Sequence, residues 1–111
     1  MKTGGDCYHA NGRYFMDNYN SDSSATIIHG EVEGQGELKD VTFGHCWIED
    51  GDMCIDVSNG RNIKLPSMIY RSIGNVDWIN NYHEYTYPDF IDKILSTKHW
   101  GPWDLKTKSG Y

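Results

Sequence analysis

Gly44-His45-Cys46-Trp47-Ile48-Glu49-Asp50-Gly51-Asp52-Met53-Cys54-Ile55-Asp56-Val57-Ser58 places a turn dipeptide between two arms of apolar and β-branched residues. Asp50-Gly51 is a strong hairpin signal, because a type I′ turn needs φ > 0 at both central residues. Pairing the arms outward from that turn sets Glu49 against Asp52, Ile48 against Met53, Trp47 against Cys54, Cys46 against Ile55 and His45 against Asp56. Side chains alternate with period two, so His45, Trp47, Cys54 and Asp56 share one face. Cys46, Ile48, Met53 and Ile55 share the other, which is wholly apolar and reads as core. Directly opposed residues have Cβ atoms about 4.5–5.5 Å apart, so Asp56 is expected to take the Nδ1 proton of His45. A histidine held by a carboxylate is half of a nucleophile-activating unit.

Outward from the hairpin, the chain of 111 residues reads as a single domain, 1–111, long enough for one core without disulfide staples. An aromatic share of 14% points to an aromatic-rich interior. A formal charge of −6 gives no reason to expect nucleic acid as a partner. No apolar run approaches the roughly 18 residues that cross a bilayer, and Met1-Lys2-Thr3-Gly4-Gly5 lacks the apolar core of a signal peptide, so a cytoplasmic chain is expected. Three cysteines, an odd number, argue against a disulfide framework. Cys46 and Cys54 point to opposite faces of the hairpin and should not bridge. Cys46 reads as a small buried thiol, and Cys54 as a packing neighbour of Trp47 or a minor participant in the site.

Residues 6–18 predict a helix with Asp6 as N-cap and Cys7, Ala10, Asn11, Tyr14 and Phe15 on its inward face. Cys7 then lies in the first turn, where a helix stabilises negative charge; a small core cysteine is the plainer use of the same position. Residues 18–24 form a polar loop, 25–33 a strand, 34–40 a connection, and 41–58 the central hairpin. Ile63-Lys64-Leu65 reads as a short strand, while 66–73 fits either a short helix or an extended edge. Asn81–Tyr87 has strand character. Pro88 and Asp89 open a helix to about Ser96 with Phe90, Ile91, Ile94 and Leu95 as its apolar stripe. Trp100 and Trp103 are expected to fold back onto the body, and 105–111 is expected to be a loose tail. The fold class is α+β: an N-terminal helix carrying Cys7, an antiparallel sheet of four to five strands, and a C-terminal helix.

The order helix-borne Cys, strand-borne His, then Asp one hairpin later brings a family into view. Gly5-Asp6-Cys7-Tyr8-His9-Ala10 resembles the G-x-C-x-x-A start of the transglutaminase-like domain. Residues 25–32 resemble the strand that follows it there, and His45-Cys46-Trp47-Ile48-Glu49 with Asp56-Val57-Ser58 resemble its H-x-W-x-E and D-x-[ST] elements. The likeness spans residues 5–58, and that superfamily belongs to the papain-like cysteine-enzyme fold. It implies a cysteine-dependent hydrolase or acyl transferase acting on an amide or peptide bond, with no cofactor. Cys7 is then the nucleophile, His45 the base and later the acid, and Asp56 the group that sets the tautomer of His45. The Cys7 backbone N–H becomes one oxyanion donor. Trp47 walls the substrate cleft, with Tyr8 and Cys54 as its expected neighbours. Only six residues precede Cys7, so the usual upstream source of a second oxyanion donor is expected to be missing.

Two other readings compete. A metal site would draw on His45, Cys54 and Asp56 with His9 or His29, but no C-x-x-C or H-x-x-x-H spacing supports it, and no metal is expected. A catalytically inactive binding module would dock a protein partner through Tyr82, Tyr85, Tyr87, Trp100 and Trp103, since aromatic residues suit interfaces as well as cores. The chain's size and compactness resemble those of phage or other mobile-element proteins.

Overall fold

The computed structural model describes residues 6–33, 42–74 and 81–105. The expected connection at 34–40 and the tail beyond Leu105 lie outside the described residues. Helix α1 (Cys7–Asn18) leads into strand β1 (Thr26–Glu33), then β2 (Thr42–Asp50) and β3 (Met53–Asp56). A 3₁₀ turn (Ser58–Gly60) precedes β4 (Ile63–Pro66), helix α2 (Ser67–Gly74), β5 (Tyr82–Tyr85) and helix α3 (Tyr87–Thr97). The five strands form one sheet in the order β4-β3-β2-β1-β5, with every neighbouring pair antiparallel. The fold is therefore α+β as expected, with 66–73 resolved in favour of a helix.

Each face of the sheet carries its own apolar cluster, because β1 and β2 are central strands. Ile27, Cys46, Ile48, Ile55 and Tyr85 pack under Cys7, Phe15 and Phe90 from α1 and α3. On the reverse face Ile28, Val32, Phe43, Trp47 and Cys54 pack together, covered in part by Tyr70 of α2 and Tyr82 of β5. The face expected to carry the His45–Asp56 pair is thus also a second core. Trp47 is fully buried there, and burying a large apolar side chain contributes roughly 1.5–3 kcal/mol. The burial stripe of α1 is Cys7, Tyr8, Asn11, Gly12 and Phe15, which puts Tyr8 and Gly12 inward where Ala10 and Tyr14 were expected. Tyr85 is buried, while Tyr82, Tyr87, Trp100 and Trp103 pack half-buried against the two clusters. The aromatic docking surface anticipated from the sequence is therefore largely spent on the interior.

The hairpin turn differs from its reading by one residue. Asp50 pairs with Met53, Glu49 with Cys54 and Ile48 with Ile55, so the loop is Gly51-Asp52. Gly51 takes φ +61, and among the described residues Lys98 is the one non-glycine with positive φ, so Asp52 does not share that conformation. Positive φ at the first loop position alone is the type II′ pattern, which wants Gly first. Asp50 meanwhile stays in the strand, where its carboxylate accepts the Tyr19 hydroxyl at 2.9 Å. Each arm slides by one, so every partner changes by two and the period-two faces survive. His45, Trp47, Cys54 and Asp56 keep a common face, but His45 and Asp56 become diagonal rather than opposed.

Candidate active site

The regular β2–β3 pairing ends at Ile48 with Ile55; in that register Trp47 and Asp56 would come next, and Cys46 with Val57 would form the following hydrogen-bonded rung. Asn11 of α1 stands in for that rung. Its Nδ2 donates to the Cys46 carbonyl at 2.9 Å and to Asp56 Oδ1 at 3.0 Å, and its Oδ1 accepts the Val57 N–H at 2.9 Å. A side-chain amide can satisfy both backbone groups because it carries a donor and an acceptor together. Asn11 lies one helical turn beyond Cys7, so the same splint holds the first turn of α1 where the two strands part.

At that opening His45 Nε2 lies 2.9 Å from Asp56 Oδ2. An ionised carboxylate only accepts, so Nε2 carries the proton toward Asp56, and Cys7 is near enough to help hold a proton on the imidazole. The sequence reading assigned Nδ1 to the carboxylate, on the premise of direct opposition. Diagonal neighbours are separated by roughly 7–8 Å, which the distal ring nitrogen spans and the proximal one does not. Gly30 pairs with His45 across β1 and β2, and a Cβ there would sit 2.8 Å from Trp47 Cη2. The missing side chain lets the Trp47 indole lie beside the imidazole, with ring centroids 6.2 Å apart and planes inclined by 26°.

Asp56 receives five donors. Oδ1 accepts from Asn11 Nδ2, from the Ser58 N–H at 3.0 Å and from Ser58 Oγ at 2.7 Å; Oδ2 accepts from His45 Nε2 and from the Tyr70 hydroxyl at 2.8 Å. Burial alone would raise its pKa, but His45 and the Asn11 and Ser58 donors hold the carboxyl far below the usual carboxylate range. Burial likewise works against a charged His45, and the hydrogen bonds and negative charge of Asp56 and Cys7 outweigh it, lifting the imidazole to about 10. Cys46 is pushed well up by burial and by the nearby Cys7 and Asp56, so it stays a thiol. Cys7, at the first position of α1, leaves its own N–H without an intrahelical acceptor. Asp6 sits at the N-cap with no side-chain cap bond, and its carbonyl accepts the Ala10 N–H at 2.8 Å.

Cys7, His45 and Asp56 are thus brought together, but the three do not meet at a solvent-reachable point. Cys7 is 0% exposed, His45 7% and Asp56 2%. The residues expected to line a cleft are separated: Tyr8 is buried in the α1 cluster, and Trp47 and Cys54 are buried on the reverse face. A groove of about 750 Å³ lies elsewhere, between β5 and α3, lined by Glu84, Tyr85, Asp89, Asp92 and Lys93 among others. The set proposed for a metal is split as well, with His29 in the α1 core and His9 exposed, and among the described residues no group of three or more His, Cys, Asp or Glu is placed to hold an ion. Asn11, Ser58 and Tyr70 are the site residues that sequence reasoning did not name. Ser58 closed the D-x-[ST] element and Asn11 lay on the inward helix face, whereas nothing marked Tyr70. Comparison with family models, with curated proteins and with solved structures finds no match to this chain.

Proposed function

We propose that this protein is a cysteine-dependent hydrolase or acyl transferase acting on an amide or peptide bond, in the manner of the transglutaminase-like enzymes its residues 5–58 resemble. The supporting observation is one imidazole bound at Nε2 to a buried carboxylate 2.9 Å away, with a cysteine at a helix N-terminus close beside it. In this reading the Cys7 sulfur attacks the carbonyl carbon while its proton resides on His45 Nδ1. The Cys7 N–H stabilises the oxyanion. As the C–N bond breaks, Nδ1 returns the proton to the departing amine. A water or an acceptor amine then attacks the thioester, gives its proton to Nδ1, and the sulfur leaves and recovers that proton. Asp56 stays ionised throughout. The substrate is a peptide or protein, and the setting is a cytoplasm reducing enough to keep the three cysteines free.

The complete burial of Cys7 favours a second reading, an inactive module that docks a protein partner. Alkylation by iodoacetamide near neutral pH separates the two. The enzymatic reading expects Cys7 to react at least about tenfold faster than Cys46 or Cys54, with the advantage lost in His45→Ala. Equal, slow labelling of all three thiols supports the binding module instead.

A further inference from the structure

Asp56 divides its donors unevenly: three converge on Oδ1, which faces away from the base, and two share Oδ2, which holds it. We propose that Tyr70 is a positioning residue for His45, its hydroxyl drawing charge from the shared Oδ2 and so setting how tightly the carboxylate holds the imidazolium. This rests on reading Cys7 and His45 as nucleophile and base. Tyr70 comes from α2, an element otherwise remote from the Cys7 helix, and its ring packs on Trp47 with centroids 5.4 Å apart. Trp47 in turn lies beside His45. One tyrosine therefore touches both supports of the imidazole, the carboxylate at its edge and the indole at its face.

The chemistry follows from competition for one oxygen. Two donors on a single carboxylate oxygen each receive less of its charge than one donor would. Burial and the charge of Asp56 keep the Tyr70 phenol protonated, so it remains a donor over the whole working range. Among the described residues, titratable groups that act on the imidazole, its carboxylate or Tyr70 include Cys7 from α1, Cys46 from β2 and Cys54 from β3, with Tyr70 itself from α2. Of these, Tyr70 is the one that donates to Asp56 Oδ2 beside His45. The three donors on Oδ1 keep the carboxylate oriented when the phenol is removed, so its loss changes the charge that His45 feels while the geometry persists.

The test follows the His45 imidazole by NMR titration in the intact protein, Tyr70→Phe and Ser58→Ala, with the pH profile of Cys7 alkylation recorded alongside. Tyr70→Phe is expected to raise the His45 pKa by about one unit, and the alkaline limb of alkylation moves with it. Ser58→Ala, which strips a donor from the oxygen facing away, is expected to shift it by less. Should Tyr70→Phe fail to fold, 3-fluorotyrosine at position 70, a more acidic phenol and a stronger donor, is expected to lower the pKa. An unchanged His45 titration overturns the proposal, as does an equal shift in Ser58→Ala. A His45 that responds to Tyr70 while Cys7 proves inert to alkylation supports the coupling and defeats the enzymatic reading, so the two failures are told apart.

Discussion

Asp56 and His29 are both buried titratable side chains, and the fold treats them in opposite ways. Asp56 is met by five donors from four segments of chain. His29 is 0% exposed, and neither ring nitrogen has a hydrogen-bond partner among the described residues. Its imidazole sits in an aromatic enclosure of Tyr8, Tyr85 and Trp103, with centroids 4.9, 5.0 and 5.0 Å away, and Gly101 lies against one edge. Burial, and to a lesser degree the neighbouring His83, outweigh the opposing charge of Asp104 and lower its pKa to about 3. The lesson is that burial by itself suppresses charge, and that only an assembled set of partners lets a charge persist in the interior.

The largest expected effect comes from dismantling the assembled set. Asp56→Ala leaves His45 and the other donors facing a void, and urea denaturation is expected to show a loss of about 3–5 kcal/mol. Asn11→Ala removes the splint between Cys46 and Val57 and is expected to lose about 1–3 kcal/mol in the same assay, since it strands two backbone groups. The contrast then appears in pH dependence. His29 titrates lower in the fold than its unfolded value of about 6.5, so stability present above that value falls as pH drops, by at most about 1.4 kcal/mol per unit. His45, raised to about 10 in the fold, contributes stability that is full below its unfolded value of about 6.5 and is lost as pH climbs from there through the folded value. Asp56 adds its own loss only below about pH 4. Stability is therefore expected to peak near pH 6.5, with His29→Phe flattening the acid limb and His45→Gln the alkaline one, as read from denaturation midpoints across pH. The smallest effect is His29→Phe at neutral pH. Because no hydrogen bond is lost, a change within about 1 kcal/mol of zero is expected, and a loss as large as that of Asp56→Ala would erase the distinction between the two sites.

Much of the architecture was legible because its signals are local. Apolar residues at helical spacing placed α1 and α3, Pro88 and Asp89 marked the start of α3, and alternation with β-branching marked β1 and the hairpin. The turn was misjudged by one residue because Asp-Gly and Gly-Asp loops compete on nearly equal terms, and Asp50 is retained in β2 by Tyr19, a contact 31 residues distant. Period-two parity absorbed that error, so Cys7, His45 and Asp56 could still be singled out as a group. Tyr70 could not, since its contact with Asp56 depends on where α2 comes to rest.

Residue order alone determined the α+β class, the helix position of Cys7, and the common face of His45 and Asp56, because spacing and parity do not depend on what packs above them. Tertiary structure decided the rest: which imidazole nitrogen meets the carboxylate, how Asn11 props β2 and β3 apart, and why His29 stays neutral while His45 holds its proton. Those outcomes depend on distances of a few ångströms between segments remote in the chain, and on how much water their packing excludes.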